Sequence, residues 1–148
     1  MRKHDYFLRV AHSLAACQVV ELELKLYITQ AFELVKKAIA GRMPFEMKGA
    51  DYKDASLERL IEIFKKLSAN PSLVTKLTKF KNERNFVAHK AIAACLDADG
   101  ELDESAASDL QPRIDDVAKA AERLTEEIQR EGTKIIIHLY LDLDGTNR

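Results

Sequence analysis

Apolar residues recur at intervals of three and four along most of the chain, a spacing that predicts long helices. Residues 5–40 contain no Gly or Pro, and small or apolar side chains repeat along one face until Gly41 ends the pattern. One run within this segment, "VVELELKLYI", alternates from Val20 to Ile28 and also fits a strand. Because no turn residue borders that run, one long helix is the preferred interpretation.

Three further helices are predicted, over about 56–69, from Pro71 to about Cys95, and over about 109–131. A loop with Gly, Pro and Asp spans 41–55 and separates the first helix from the second. Asn70 is a favourable N-cap and Pro71 a favourable first helical residue, so the third helix has a clear start. Gly132 is the expected end of the fourth helix.

The last segment has a different period. In "KIIIHLYLDLD" apolar residues alternate from Ile135 to Leu143 and several are β-branched, which predicts a strand. A lone strand is unstable, so we expect it to pair with another copy or with a partner chain. The predicted fold is all-α: an up-down bundle of four to five helices over 1–132, with a C-terminal β-strand in a tail over 133–148.

Composition narrows the class of protein. The 148 residues suit one domain, and 47% hydrophobic with 32% charged residues is typical of a soluble globular protein, here expected to be cytoplasmic. The formal net charge of −1 means that nucleic-acid binding would need a local basic patch. Cys17 and Cys95 are expected to be reduced core thiols. Neither the cysteines nor the histidines have metal-ligand spacing, so no metal and no cofactor is expected.

The stretch "KNERNFVAHKA", Lys81 to Ala91, departs from the helical pattern. At roughly 100° per residue, Arg84 falls at the centre of the apolar stripe of the third helix, roughly 140° from His89. Asn85 and His89 are four residues apart and share the adjoining flank. A charged arginine on a core stripe needs a partner. One interpretation is therefore structural, with Arg84 paired to Glu21 of the first helix and His89 on the surface.

The pattern "RNFVAH" supports another interpretation. An arginine, a polar residue after it and a histidine five residues after the arginine, on a late helix of a helical bundle, resemble the R-x4-6-H motif of the HEPN superfamily. The resemblance covers the motif closely and residues 5–131 loosely. It implies a homodimer in which two motif helices form one composite site for metal-independent RNA cleavage. It also implies a toxin or phage-defence role, with an antitoxin protein as a candidate partner.

Under this resemblance His89 is the acid or base, Arg84 the ligand of phosphate and of the transition state, and Asn85 assists. The chemistry suits these residue types, because attack by the 2′-hydroxyl of RNA requires proton transfers and stabilisation of a phosphorane. Lys81 and Lys90 supply local positive charge for RNA. Two alternatives stay open: a non-catalytic HEPN-like module that binds nucleotide, RNA or protein, and a helical oligomerisation or antitoxin-like protein in which Arg84 is structural.

Overall fold

Four helices make up most of the chain in the computed structural model, which describes residues 2–145. Their bounds are Lys3–Ala38 (α1), Leu57–Leu67 (α2), Pro71–His89 (α3) and Glu104–Gly145 (α4). Two short 3-10 turns, Gly49–Tyr52 and Ala93–Cys95, lie in the connections. The all-α class is therefore confirmed, as are the order of the four helices and the start of α3, where the Asn70 side chain accepts a hydrogen bond from the backbone of Leu73.

The predicted C-terminal strand is wrong for the described residues, because α4 continues without a break to Gly145. Ile135 is buried and Leu139 packs against the core, seven and eleven residues after buried Ile128, which is a helical spacing. Ile137 and Tyr140 are exposed on the opposite side. The alternation thus arises from a helix with apolar residues on two faces. The predicted boundary at 132/133 lies within α4, and residues 146–148 of the predicted tail lie outside the described part.

Gly132 was expected to end the fourth helix and instead lies inside it. An added Cβ at this position would sit 3.2 Å from Oε1 of Gln30 and 4.0 Å from a ring carbon of Tyr27. The missing side chain therefore lets α1 and α4 approach each other closely. Here the glycine serves helix packing and not termination.

The bundle also departs from the predicted up-down order, because α1 and α2 run in the same direction. The connection 39–56 doubles back along α1, with Gly49 against Thr29 and the Lys53 carbonyl bonded to Lys25. From there α2 runs forward beside α1, where the rings of Tyr27 and Phe64 meet edge to face at 4.8 Å. Consequently the start of α2 lies near Glu21, at the middle of α1, and the end of α2 lies further along α1.

The helix α4 also runs parallel to α1, while α3 is antiparallel to both. Arg9 pairs with Asp115 and Glu23 accepts from Gln129, so the contacts advance together along α1 and α4. The core lies between these helices and α3, and all large side chains that it fully buries are apolar or aromatic. Among the described residues, no helix combines the length and the apolar character needed to cross a membrane.

Candidate functional site

The motif stretch lies on α3 where that helix faces α1 and the start of α2. Arg84 extends from the core side of α3 towards α1, and its Nη2 lies 3.2 Å from Oε1 of Glu21. Both side chains are mostly buried, with 28% of Arg84 and 19% of Glu21 exposed. The expected partner of Arg84 is thus in contact with it, and a charge on the core stripe is tolerated because it is paired.

The contact between Arg84 and Glu21 is an ion pair without the alignment of a hydrogen bond. Oε1 of Glu21 is buried, and among the described residues it has no hydrogen-bond partner. Among the described residues, the one hydrogen bond that Arg84 donates is long, 3.4 Å from its Nη1 to Oδ1 of Asn85. Since a guanidinium has five N–H donors, most of those on Arg84 are left for another acceptor.

Arg84 and Asn85 line a cavity of about 320 Å³ between α1, α2 and α3. Its other polar lining residues are Glu21, Ser56, Glu58 and Lys81. Nζ of Lys81 lies 3.7 Å from Oε1 of Glu58, a loose pair whose glutamate is largely exposed. Two cations thus line one cavity, and neither is held by an aligned carboxylate.

The first turn of α2 adds to the positive side of this cavity. Ser56 is the N-cap of α2 and accepts a hydrogen bond from the backbone N–H of Arg59. Ser56, Leu57 and Glu58 line the cavity, so the N-terminal, positive end of the α2 dipole borders the space that Arg84 and Lys81 also line. Sequence reasoning missed this contribution. The N-cap at Ser56 was detectable, but the return of the loop along α1 was not.

A buried thiol lies behind the ion pair. Burial raises the pKa of Cys17 to about 11, while Arg84 lowers it and Glu21 raises it. Cys17 therefore stays a neutral thiol beside the pair, and the prediction of a core cysteine is confirmed by its burial.

His89 is the last residue of α3 and is exposed to solvent, not buried in the core. It lies one turn beyond Asn85, about 6 Å along the helix axis. With Thr78 and Asn82 these two residues form a row of exposed polar side chains. His89 is not among the residues that line the cavity at Arg84, so one chain brings Arg84 and Asn85 together but leaves His89 at the edge.

The end of α3 is fixed by a buried contact to α1. The Tyr6 hydroxyl donates to the Ala91 carbonyl at 2.5 Å, and the Cys95 thiol donates to Tyr6 at 3.1 Å. Burial is the main cause that raises the pKa of Tyr6. The helix α3 ends at His89 and not at the predicted Cys95, and the Tyr6 hydroxyl holds the carbonyl of Ala91 in the turn that follows. Lys90 is exposed at this turn, next to His89.

A different arginine lies on the other side of α3. Arg113 of α4 donates to both oxygens of Glu83, at 2.8 and 2.9 Å, and its guanidinium lies 3.6 Å from the centre of the Phe86 ring. Hydrogen bonding from Arg113 holds the pKa of Glu83 below its usual value. This pair is at the rim of a larger groove of about 660 Å³ between α3 and α4.

Within the part of the chain that the structure describes, no three His, Cys, Asp or Glu side chains converge as a metal site. Comparison of the chain with protein-family models, with curated proteins and with solved structures finds no match.

Proposed function

We propose that the protein is a metal-independent endoribonuclease of the HEPN type, in which Arg84, Asn85 and His89 act at a composite site of a homodimer. The observation that carries this proposal is the state of Arg84. It is paired with Glu21, lines a polar cavity, and among the described residues donates one long hydrogen bond, to Asn85. A preorganised guanidinium with free donors suits a phosphate that gains charge in the transition state.

The exposed row on α3 supplies the second part of the proposal. His89 and Asn85 face solvent on one flank of the helix. In the proposed homodimer a twofold contact brings the same row of a second chain against them. His89 then transfers the proton of the attacking 2′-hydroxyl or of the leaving 5′-oxygen, and Arg84 binds the phosphate. Lys81 and Lys90 flank the row on either side and attract the RNA backbone.

The test uses RNA in the presence of a strong chelator. We expect the wild-type protein to yield fragments with 2′,3′-cyclic phosphate and 5′-hydroxyl ends, and His89→Ala to be slower by about 100-fold or more. His138→Ala is the matched control, because His138 is an exposed histidine on α4 and should leave the rate unchanged. Intact RNA with the wild type, or equal rates for wild type and His89→Ala, would overturn the proposal.

A second candidate is a non-catalytic module of the same fold that binds RNA or nucleotide phosphate. It is favoured by the separation of His89 from the cavity that Arg84 lines. In that case the wild type binds RNA without cutting it, and Arg84→Ala weakens binding while His89→Ala does not. A filter-binding assay on the same variants separates the two functions.

A further inference from the structure

The helix α1 carries a second apolar face that no other part of the described chain covers. This outer stripe consists of Leu8, Ala11, Ala15, Val19, Leu22 and Leu26, whose large members are 43% to 61% exposed. Its members are three or four residues apart, the spacing of a coiled-coil seam. The stripe lies opposite the buried face that contains Val10, Val20 and Leu24. A helix that is apolar on opposite sides is normally covered on both.

The charges of α1 are kept away from the outer stripe. Between Leu8 and Leu26 there are four charged side chains, and each has a partner in the chain: Arg9 with Asp115, Glu21 with Arg84, Glu23 with Gln129, and Lys25 with the Lys53 carbonyl. The stripe is therefore free of formal charge, and it has no row of cations of the kind that binds a membrane surface. Its chemistry fits a protein surface that is itself apolar.

The two halves of the outer stripe carry side chains of different size, small in the first half and large in the second, so that they complement each other. In the first half, His12, Ala15, Ala16 and Val19 form the α1 wall of a hollow of about 470 Å³, whose α4 wall consists of Glu122, Thr125 and Glu126. The spacing of the α1 residues, three, one and three, matches the four-residue hole that accepts a knob from a facing helix. The second half carries the large side chains Leu22 and Leu26. An antiparallel copy places its Leu22 in this hole and its Leu26 in the next one, whereas a parallel copy would set alanine against alanine.

We infer that the outer stripe is an interface with a second copy of this chain, packed antiparallel about a twofold axis near Val19. The same arrangement brings exposed His4 of one copy close to exposed Glu33 of the other, because both lie on this side of α1 at matching distances from the axis. In a parallel arrangement His4 would lie beside His4 of the other copy and Glu33 beside Glu33, without opposite charges in contact.

The available area is sufficient for a stable contact. The layer of α1 and α4 is about 20 Å wide and about 50 Å long, which gives a surface of about 1,000 Å². A standard interface buries about 800 Å² on each partner. The apolar surface also continues onto α4, since Leu26 and Ile136 line one cavity and Ile137 is exposed beside it. The interface is separate from the proposed ribonuclease site, because the stripe faces away from the side of α1 that carries Glu21.

The first experiment is sedimentation equilibrium of the full chain at tens of micromolar. The wild type is expected to self-associate, and Leu22→Glu to halve the assembled mass with an unchanged helical circular dichroism spectrum. Met43→Glu is the matched control, because Met43 is as exposed as Leu22 but lies in the loop after α1. A monomeric wild type, or an unchanged mass for Leu22→Glu, overturns the inference.

The second experiment identifies the contact and its direction by cysteine cross-linking. Cys17 and Cys95 are buried, so an introduced cysteine is the accessible thiol. Ala11→Cys protein mixed with Leu26→Cys protein should form a cross-linked dimer with a short bismaleimide, while either variant alone should not. Cross-linking of each variant with itself, or no cross-link in the mixture, contradicts the antiparallel interface. A monomeric wild type would also contradict the composite ribonuclease site, whereas the effect of Leu22→Glu and the cross-link test the outer stripe alone.

Discussion

Two arginine–glutamate pairs flank α3, and they differ in almost every physical respect. Arg113 and Glu83 are about 40% exposed, form two short parallel hydrogen bonds, and stack on Phe86. Arg84 and Glu21 are mostly buried, meet at 3.2 Å without an aligned hydrogen bond, and face a cavity. The exposed pair, Arg113 with Glu83, uses its hydrogen-bonding capacity within the protein. The buried pair, Arg84 with Glu21, does not.

This difference indicates which arginine is available to a ligand. A bidentate pair on the surface satisfies both partners and contributes little to stability, since solvent screens it. A loosely aligned pair in a half-buried cavity positions a cation but leaves donors for an incoming anion. We therefore propose that Arg84 binds phosphate and that Arg113 has a local structural role.

The two pairs are expected to differ most in the stability that is lost when the glutamate of each is replaced by alanine. Glu21→Ala leaves Arg84 partly buried without a counter-charge and should lower the free energy of unfolding by about 1–3 kcal/mol. Glu83→Ala should lower it by about 0.2–1 kcal/mol, because Arg113 is then hydrated. Urea denaturation of both variants measures the difference. Equal losses would mean that the two pairs are energetically alike.

A smaller effect is expected from pH. The pKa of Glu83 is lowered from its usual 4.5 in the folded protein by hydrogen bonds from Arg113. Its contribution to stability is therefore present above about pH 4.5 and is lost as the pH falls through the lowered value. The free energy of unfolding, measured by urea titration between pH 6 and pH 3, should fall less steeply for Glu83→Gln than for the wild type, by less than about 1 kcal/mol over this range. The same pH dependence in both proteins would show that the pair of Arg113 and Glu83 does not stabilise the folded state.

The sequence predicts the helices, and the core-facing position of Arg84 on α3, because both follow from the repeat of 3.6 residues per helical turn. The alternating runs from Val20 to Ile28 and from Ile135 to Leu143 show where that period is ambiguous. Both segments are helical, and over 20–28 and 135–141 the alternation comes from a second apolar face on the outside of the helix. Where a helix has two apolar faces, the period alone does not separate it from a strand. The first run was correctly interpreted because it has no bordering turn residues.

The cavity at Arg84 was beyond sequence reasoning for a different reason. It depends on the loop that returns along α1, where Gly49 packs so closely on Thr29 that an added Cβ would lie 1.8 Å from its Oγ1. That contact belongs to the return of the loop along α1, after which α2 begins beside Arg84 and runs parallel to α1. No periodic pattern marks such a long-range contact, so the role of Ser56 emerged only from the structure.

The central claim is that Arg84, and not Arg113, binds the phosphate of RNA. The most direct measurement is the initial rate of chelator-resistant RNA cleavage by Arg84→Ala and Arg113→Ala, with folding checked by circular dichroism. We predict a loss of about 100-fold or more for Arg84→Ala and a change of less than about twofold for Arg113→Ala. Equal rates for the two variants, or a larger loss for Arg113→Ala, would contradict the account.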